Sequence, residues 1–558
     1  MRILVEGEKY GIEGLNKIFT DARFYSQQGT MGKVTHVGYY HSLDKNELVY
    51  MLPKVFIEDG KVFGKYFPEE LFSQDISISF KNRDEYAWAR KLLVFFYKSI
   101  SEYQKRYINS NIIDEGEGLD LSSNLDLHEY SYLDLMFGFV NHYRRNKNAI
   151  MFHYVDFNSS QAKKPKWEKT VKKVTPILNS KGDPLYLKIQ NKKKTVNDSE
   201  LLICYFFSIL NKFKDEHGLD ISINKSYKII RGKEFIRLQE TGISRLRSIK
   251  HKYFADSLKR MYKLCELYFL KTNTSGVRHR NIEFVAVRNY NLVFEDMVDK
   301  LFSDSFAQNH MDQDITIAKL KHNADGKILD HIYEYGSLVD TSNIFYIGDS
   351  KYYRPGNEAG KLSMFKQFTY AKNILQYNID LFVKAGRYHS ANMRYRDIDT
   401  EGYNITPNFF IYGYVSDVDD FDQDLIESYG EPVKSSHFPD RLFDRDTLFV
   451  HQYKINFLFV LKSYSSNDLG LSRDFKLRTK QRFRNEFVNY FNKPAECGFK
   501  LYSKVLPAHE LQKIITDNFK VLNGKSYIVN GNELIIARPE GDTSLDNILT
   551  TFDRKVLL

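Results

Sequence analysis

The run Ile344-Phe345-Tyr346-Ile347, which leads into Gly348-Asp349-Ser350-Lys351-Tyr352-Tyr353 and is stopped by Arg354-Pro355-Gly356, is the segment the rest of the chain must be arranged around. Four successive apolar residues bounded by turn formers suit a strand buried on both faces. Side chains two apart on a strand point to the same side, so Asp349 and Lys351 would leave its end together, a carboxylate beside an ammonium. A core strand that delivers such a pair suits a reaction centre better than a surface. A metal-dependent nuclease is the reading it suggests.

The flanking segments extend the pattern. Residues 291–302 have the spacing of a helix with Phe294, Met297, Val298 and Leu301 as its apolar stripe; Asp296, Asp299 and Lys300 fall away from the stripe, and Glu295 falls at its edge. Residues 313–320 alternate like a strand, Asn323-Ala324-Asp325-Gly326 reads as a turn, and residues 327–333 read as a second strand carrying Asp330. After the Asp349 strand, residues 361–377 read as a helix on which Gln367, Tyr370, Ala371 and Ile374 share one face. Asp325 is explained by its turn and Asp340 by the loop before the third strand, so Asp330 is the acid the meander points to. His331 and Tyr370 are expected to support the site or pack in the core.

Helix with Glu295, strand with Asp330, strand with Asp349 and Lys351, helix with Gln367: this order has a chemical logic for phosphodiester hydrolysis. Carboxylates from Glu295, Asp330 and Asp349 would converge on Mg²⁺, a hard cation that prefers oxygen ligands and keeps waters. Lys351 would orient the nucleophile or stabilise the phosphate oxygens.

The layout resembles the PD-(D/E)xK nuclease superfamily, with Ile328-Leu329-Asp330-His331 at the first acidic motif and Asp349-Ser350-Lys351 at the second; Leu329 replaces the usual proline. More narrowly the chain resembles the LlaJI-type restriction endonucleases, relatives of McrC nuclease subunits. The residues that carry this are Tyr346 to Tyr353, Gln367-Phe368-Thr369-Tyr370, Val37-Gly38-Tyr39-Tyr40, Leu52-Pro53-Lys54-Val55-Phe56 and Trp167-Glu168-Lys169-Thr170. The resemblance implies an α/β nuclease core, a mixed sheet flanked by helices. It also implies cleavage of double-stranded DNA in a restriction system, and a separate McrB-like AAA+ NTPase as partner. Gly29-Thr30-Met31-Gly32-Lys33 does not supply the NTPase: Gln27 and Val34 break the phosphate-loop pattern, and the segment reads as a turn.

The length of 558 residues suggests about two to four domains. The expected division is a β-rich module over 1–80, a mainly helical basic region over 81–275, the nuclease core over 276–495, and a small α/β appendage over 496–558. In the first, the turn Glu58-Asp59-Gly60 marks a hairpin; in the last, Asn530-Gly531-Asn532 pairs residues 526–529 with 533–536. Further helices are read over 130–144, 201–213, 241–270 and 472–490, and further strands over 408–415 and 455–461. The net charge of +10 is compatible with a polyanionic partner. Lysines cluster between Lys163 and Lys194 with Trp167 and Tyr186 interleaved, either a DNA-tracking stripe or a solvated face. Three scattered cysteines and no Cys/His cluster argue against zinc and disulfides and fit a reducing cytoplasm. Glu6 breaks any signal-peptide core, and no apolar run approaches a membrane span. Cleavage of both strands usually needs two active sites, so a dimer or larger assembly is expected. A second reading stays open at this level: a non-catalytic DNA- or motor-binding subunit that keeps the nuclease fold as a scaffold. A nuclease acting on RNA or single strands is a third.

Overall fold

The structure is a computed structural model. It describes residues 2–20, 22–42, 47–73, 92, 94–100, 102–103, 106, 113–116, 132–146, 153–158, 165–196, 200–217, 221, 223, 227–272, 282–304, 329–354, 356–357, 359–385, 393–397, 399–415, 421–434, 439–466 and 469–558. The chain divides into two compact units, one of residues 40–48 and 115–285, the other of residues 2–39, 49–114 and 286–558. No helix among the described residues is long and apolar enough to cross a membrane.

In the first unit, helices Tyr132–Asn146, Leu201–His217, Gly232–Ser248 and Asp256–Thr272 pack around the rings of Phe139, Phe206, Phe213 and Tyr268. The single helix expected over 241–270 is two helices. Ile249 and Tyr253 remain buried across the turn between them, so their spacing continues the apolar stripe where the backbone does not. The lysine-rich region folds as the short helix Trp167–Lys173 followed by the pair Ile177–Leu178 and Pro184–Leu185. Trp167 there is exposed, against Tyr186.

The second unit carries the candidate site. In chain order its relevant elements are β1 (Arg2–Val5), β2 (Tyr25–Gln28), β3 (Met31–Val34), β4 (Glu47–Leu52), α1 (Tyr290–Phe302), β5 (His331–Gly336), β6 (Asn343–Lys351), α2 (Lys361–Ala385), β7 (Pro407–Tyr414), β8 (Phe449–Asn456), α3 (Phe457–Ser466) and α4 (Leu469–Phe491). β1 runs parallel to β4, from Arg2↔Val49 to Val5↔Leu52. β2 and β3 form an antiparallel hairpin across Gly29, whose φ of 65° is the turn read from the sequence. A second hairpin pairs Ile57 with Val62, and Asp59 (φ 47°) and Gly60 (φ 75°) supply the two left-handed positions its twist requires.

The main sheet is mixed: its four longest strands run in the order β5-β6-β7-β8, with β5 antiparallel to β6 and the next two pairings parallel, and the short strands Ile426–Ser428 and Val433–Lys434 pair antiparallel with β8. β6 and β7 are buried on both faces, as their apolar runs demand. Phe410 and Tyr412 face Met364 and Phe368 of α2, while Phe409 faces Phe483 of α4 and Gly413 faces Phe294 of α1. Helices therefore cover both sides, and mixed α/β is the observed class.

Three readings are corrected. The second strand, expected over 327–333, begins at His331, with Leu329 and Asp330 ahead of it, which leaves Asp330 at its entrance; residues 305–328, including the expected strand over 313–320 and its turn, lie outside the described residues. The apolar run 455–461 is mostly helix, because β8 ends at Asn456, whose Oδ1 accepts from the Leu458 N–H at 3.0 Å and caps α3. Asp296 is not on a solvated face. It is buried, held by Arg106 at 2.9 Å and by the Tyr464 hydroxyl at 2.5 Å, because α1 is covered by helices on the side away from the sheet.

The C-terminal strands pair as expected, with Asn530 and Gly531 both at positive φ in the turn. They share a core with the main sheet: Tyr527, Val529 and Ile535 belong to the buried cluster that contains Phe443, Phe449 and Phe487.

Candidate active site

Gly348 lets the key strand pass. A methyl there would meet the Phe409 ring of β7 at 2.1 Å, so only glycine fits between the apolar run and the polar end of β6. Beyond it, Asp349 and Lys351 emerge on the same side and pair directly, the ammonium donating to Asp349 Oδ2. Both are buried, and the Lys351 ammonium also lies 4.8 Å from the centre of the Phe410 ring.

Asp330 arrives from the entrance of β5. Its Oδ2 accepts from the Ser350 N–H at 2.9 Å, which aims the carboxyl at the end of β6. Glu295 comes from α1, where Asn291 Nδ2 donates to its Oε1 at 3.2 Å. The electrostatics record how close the acids are. Burial, and then the Asp349 carboxylate despite the Asn291 hydrogen bond, pushes Glu295 up to about 7. Burial, the Asp349 charge, a hydrogen bond with Asp349 and the Glu295 charge hold Asp330 well above the usual carboxylate range. Tyr370 of α2 is raised by burial and then by the same three carboxylates, so it borders the cluster.

Four of the five sequence candidates thus meet. Gln367 does not join them. Its side chain is fully buried and its Nε2 donates to Ile347 O at 3.2 Å and Asn408 Oδ1 at 3.3 Å, which ties α2 to β6 and β7. A chain that the sequence reading did not assemble runs behind the site: His331 Nε2 is 2.6 Å from Ser350 Oγ, and its Nδ1 is 3.5 Å from Asp299 Oδ1. His331 is fully buried, so this Asp-His-Ser row braces β5 against β6 and α1 rather than meeting a substrate. The alternation of β6 was the available signal, since it turns Ser350 to the face opposite Asp349 and Lys351.

Among the described residues, the donors gathered at the site are the carboxylate oxygens of Glu295, Asp330 and Asp349. Among the described residues no three His, Cys, Asp or Glu side chains already form a metal cage. Crowded carboxylates whose negative charge is disfavoured fit a hard cation held by few protein ligands and by water.

The profile of the LlaJI restriction endonucleases matches residues 67–423, well over half of the chain. The chain belongs to the LlaJI restriction endonuclease family. No curated protein matches it. Among solved structures, similarity is found to a chain of the Thermococcus gammatolerans assembly of McrB AAA+ hexamers with bound McrC. The identity is 11%, with 87% of this chain and 99% of that chain covered, at a TM-score of 0.26.

Proposed function

We propose that the chain is a PD-(D/E)xK nuclease subunit that hydrolyses double-stranded DNA in a Mg²⁺-dependent reaction, together with a McrB-like AAA+ NTPase. The observation that carries the reading is the end of β6. Asp349 and Lys351 lie side by side there, and Asp330 is held to the same strand end by the Ser350 N–H, in a chain of a restriction endonuclease family. Burying an acid and a base on a strand end costs free energy that a scaffold has no reason to spend.

In this reading Asp349, Asp330 and Glu295 would hold the cation. When bound, Mg²⁺ supplies an activated water and neutralises charge developing on the phosphate. Lys351 places a positive charge where the non-bridging phosphate oxygens gain negative charge, and the low-dielectric surroundings strengthen it. The Asp299-His331-Ser350 row fixes the position of the Ser350 backbone, and with it the Asp330 carboxyl.

The AAA+ partner is inferred from the resemblance of the sequence motifs to McrC-type subunits. It agrees with the structure of Gly29-Thr30-Met31-Gly32-Lys33, a hairpin turn rather than a phosphate loop leading into a helix. The test is incubation of the purified chain with plasmid DNA and Mg²⁺, with and without the candidate NTPase. Cleavage lost in Asp349→Asn and Lys351→Ala supports the reading. Cleavage that survives them removes the site, and DNA binding without cleavage under any condition favours the scaffold subunit.

A further inference from the structure

Beside the strand end lies an open cleft of about 710 Å³ that the sequence reading did not assign. One wall is the β2–β3 hairpin, which contributes Gln28 and Lys33; another is formed by Arg288 and Asn289, just before α1. The third wall continues β6 itself, since Tyr353 and Arg354 follow Lys351 by two and three residues. The cleft is therefore covalently continuous with the proposed cutting centre.

Its charge is one-sided. Among the described residues, Lys33, Lys54, Arg288 and Arg354 line it against one carboxylate, Glu6. The inner pair is already engaged: Arg354 pairs with Glu8 at 2.6 Å and donates to Gly7 O at 3.1 Å, and Lys54 lies 4.7 Å from the centre of the Tyr352 ring. Glu6 is engaged too, accepting from the Tyr352 hydroxyl at 2.5 Å. These contacts fix the floor of the cleft to the end of β6. Lys33 and Arg288 are exposed, and neither makes an ion pair with any of the described residues. Two exposed cations on different walls, in a lining that also carries the neutral amides of Gln28, Asn289 and Asn357, match the oxygens of a phosphodiester chain.

We propose that this cleft takes the sugar–phosphate backbone of the strand cut at Asp349 and Lys351, with Lys33 and Arg288 as phosphate contacts and Tyr353 as an aromatic wall. The proposal rests on the nuclease reading and adds where the substrate runs. It also gives Lys33 a role that has nothing to do with nucleotide triphosphate.

The experiment measures binding of the full chain to a fluorescent duplex in EDTA, by anisotropy across a salt series, so that cleavage does not enter. For Lys33→Ala/Arg288→Ala the slope of log K against log salt becomes shallower by about two, close to 0.9 per lost phosphate contact. The conservative pair Lys33→Arg/Arg288→Lys keeps the wild-type slope. An unchanged slope in the alanine pair, or an equal loss in the conservative pair, overturns the proposal. The two readings fail separately: a wild-type chain that cleaves with a slope indifferent to the alanine pair loses only the cleft. One that never cleaves yet shows the slope change keeps the cleft as a DNA site and loses the nuclease reading.

Discussion

Substituting Gly348 tests how tightly the strand end is built. An alanine methyl would lie 2.1 Å from Phe409 Cε2 and 2.4 Å from Cζ, where ordinary contact begins at 3.4 Å; the ring would have to retreat by about 1.3 Å (3.4 less 2.1). It has nowhere to go, being fully buried with ring centres of Phe483 at 4.9 Å, Tyr333 at 6.0 Å and Tyr453 at 6.4 Å. Overpacking of this kind costs roughly 1–3 kcal/mol, and the boxed ring puts Gly348→Ala near the upper end. Phe409→Ala alone leaves a cavity worth roughly 3–5 kcal/mol. In the double variant the methyl enters space the ring has vacated, so the cost should fall short of the sum by about 2–3 kcal/mol. Equilibrium urea unfolding of the four proteins, followed by circular dichroism, measures the cycle. Additivity within about 0.5 kcal/mol would refute the contact. Because Asp349 is the next residue, a forced shift of β6 should also lower plasmid cleavage by Gly348→Ala about 100-fold, the usual effect of misplacing a reacting group by about 1 Å.

Asp349→Asn and Lys351→Ala should each reduce Mg²⁺-dependent plasmid cleavage by about 10²–10³-fold while duplex binding in EDTA is retained; undiminished rates would exclude both residues from the chemistry. Asp296→Ala removes the acceptor of Arg106 and Tyr464 and should cost about 2 kcal/mol in urea unfolding, less than a fully buried pair because Arg106 is partly exposed; a loss below about 0.5 kcal/mol would count against the buried network. Burial holds His451 down at about 3 from an ordinary 6.5, where the ring stacks on Phe487 and meets Tyr490 at right angles. The unfolded chain takes up this proton below pH 6.5 and the folded chain does not, so stability falls as pH drops from 6.5 towards 3, by about 1.4 kcal/mol per unit. Between pH 7 and pH 5, His451→Phe should therefore lose about 2 kcal/mol less than the wild type, and an equal loss would show that His451 is not the group responsible.

The site was more legible in the sequence than the architecture around it. Period-two geometry needs only local spacing, so Asp349 and Lys351 could be paired from the sequence alone, and the edge position of Glu295 followed from helical spacing. Gln367 shows the limit of that logic: it lies on the expected face of α2, yet what it meets there is Ile347 O and Asn408 Oδ1, set by how far the helix slides along the sheet. Asp296 was misread for a related reason. A helix packed on both sides has no solvated face to which a charge can be assigned by periodicity, and Arg106, the partner that makes its burial tolerable, is 190 residues away. Residues 455–461 were misread because an apolar run of that length is the same string for a buried strand and a buried helix; Asn456 decides between them through its capping bond. The cleft was not legible at all, because Lys33 and Arg288 are brought together only by the fold.

Glu6 and Tyr352 are 346 residues apart, and Gly7 and Arg354 are 347 apart, yet each pair is closed by a hydrogen bond. During synthesis at ~5–20 residues per second, the first strand waits roughly 20–70 s for the partner that completes it. A fragment that begins after β4 would still contain Glu295, Asp330, Asp349 and Lys351, but it would bury the Tyr352 phenol without its acceptor and leave Arg354 without Glu8 and Gly7. The residues that would do the cutting lie within one stretch of the chain, 295–351, but the body that holds them does not. A recombination event that moved residues 286–558 alone would transfer the chemistry without its support, so the unit can be inherited whole but not exchanged as a cassette.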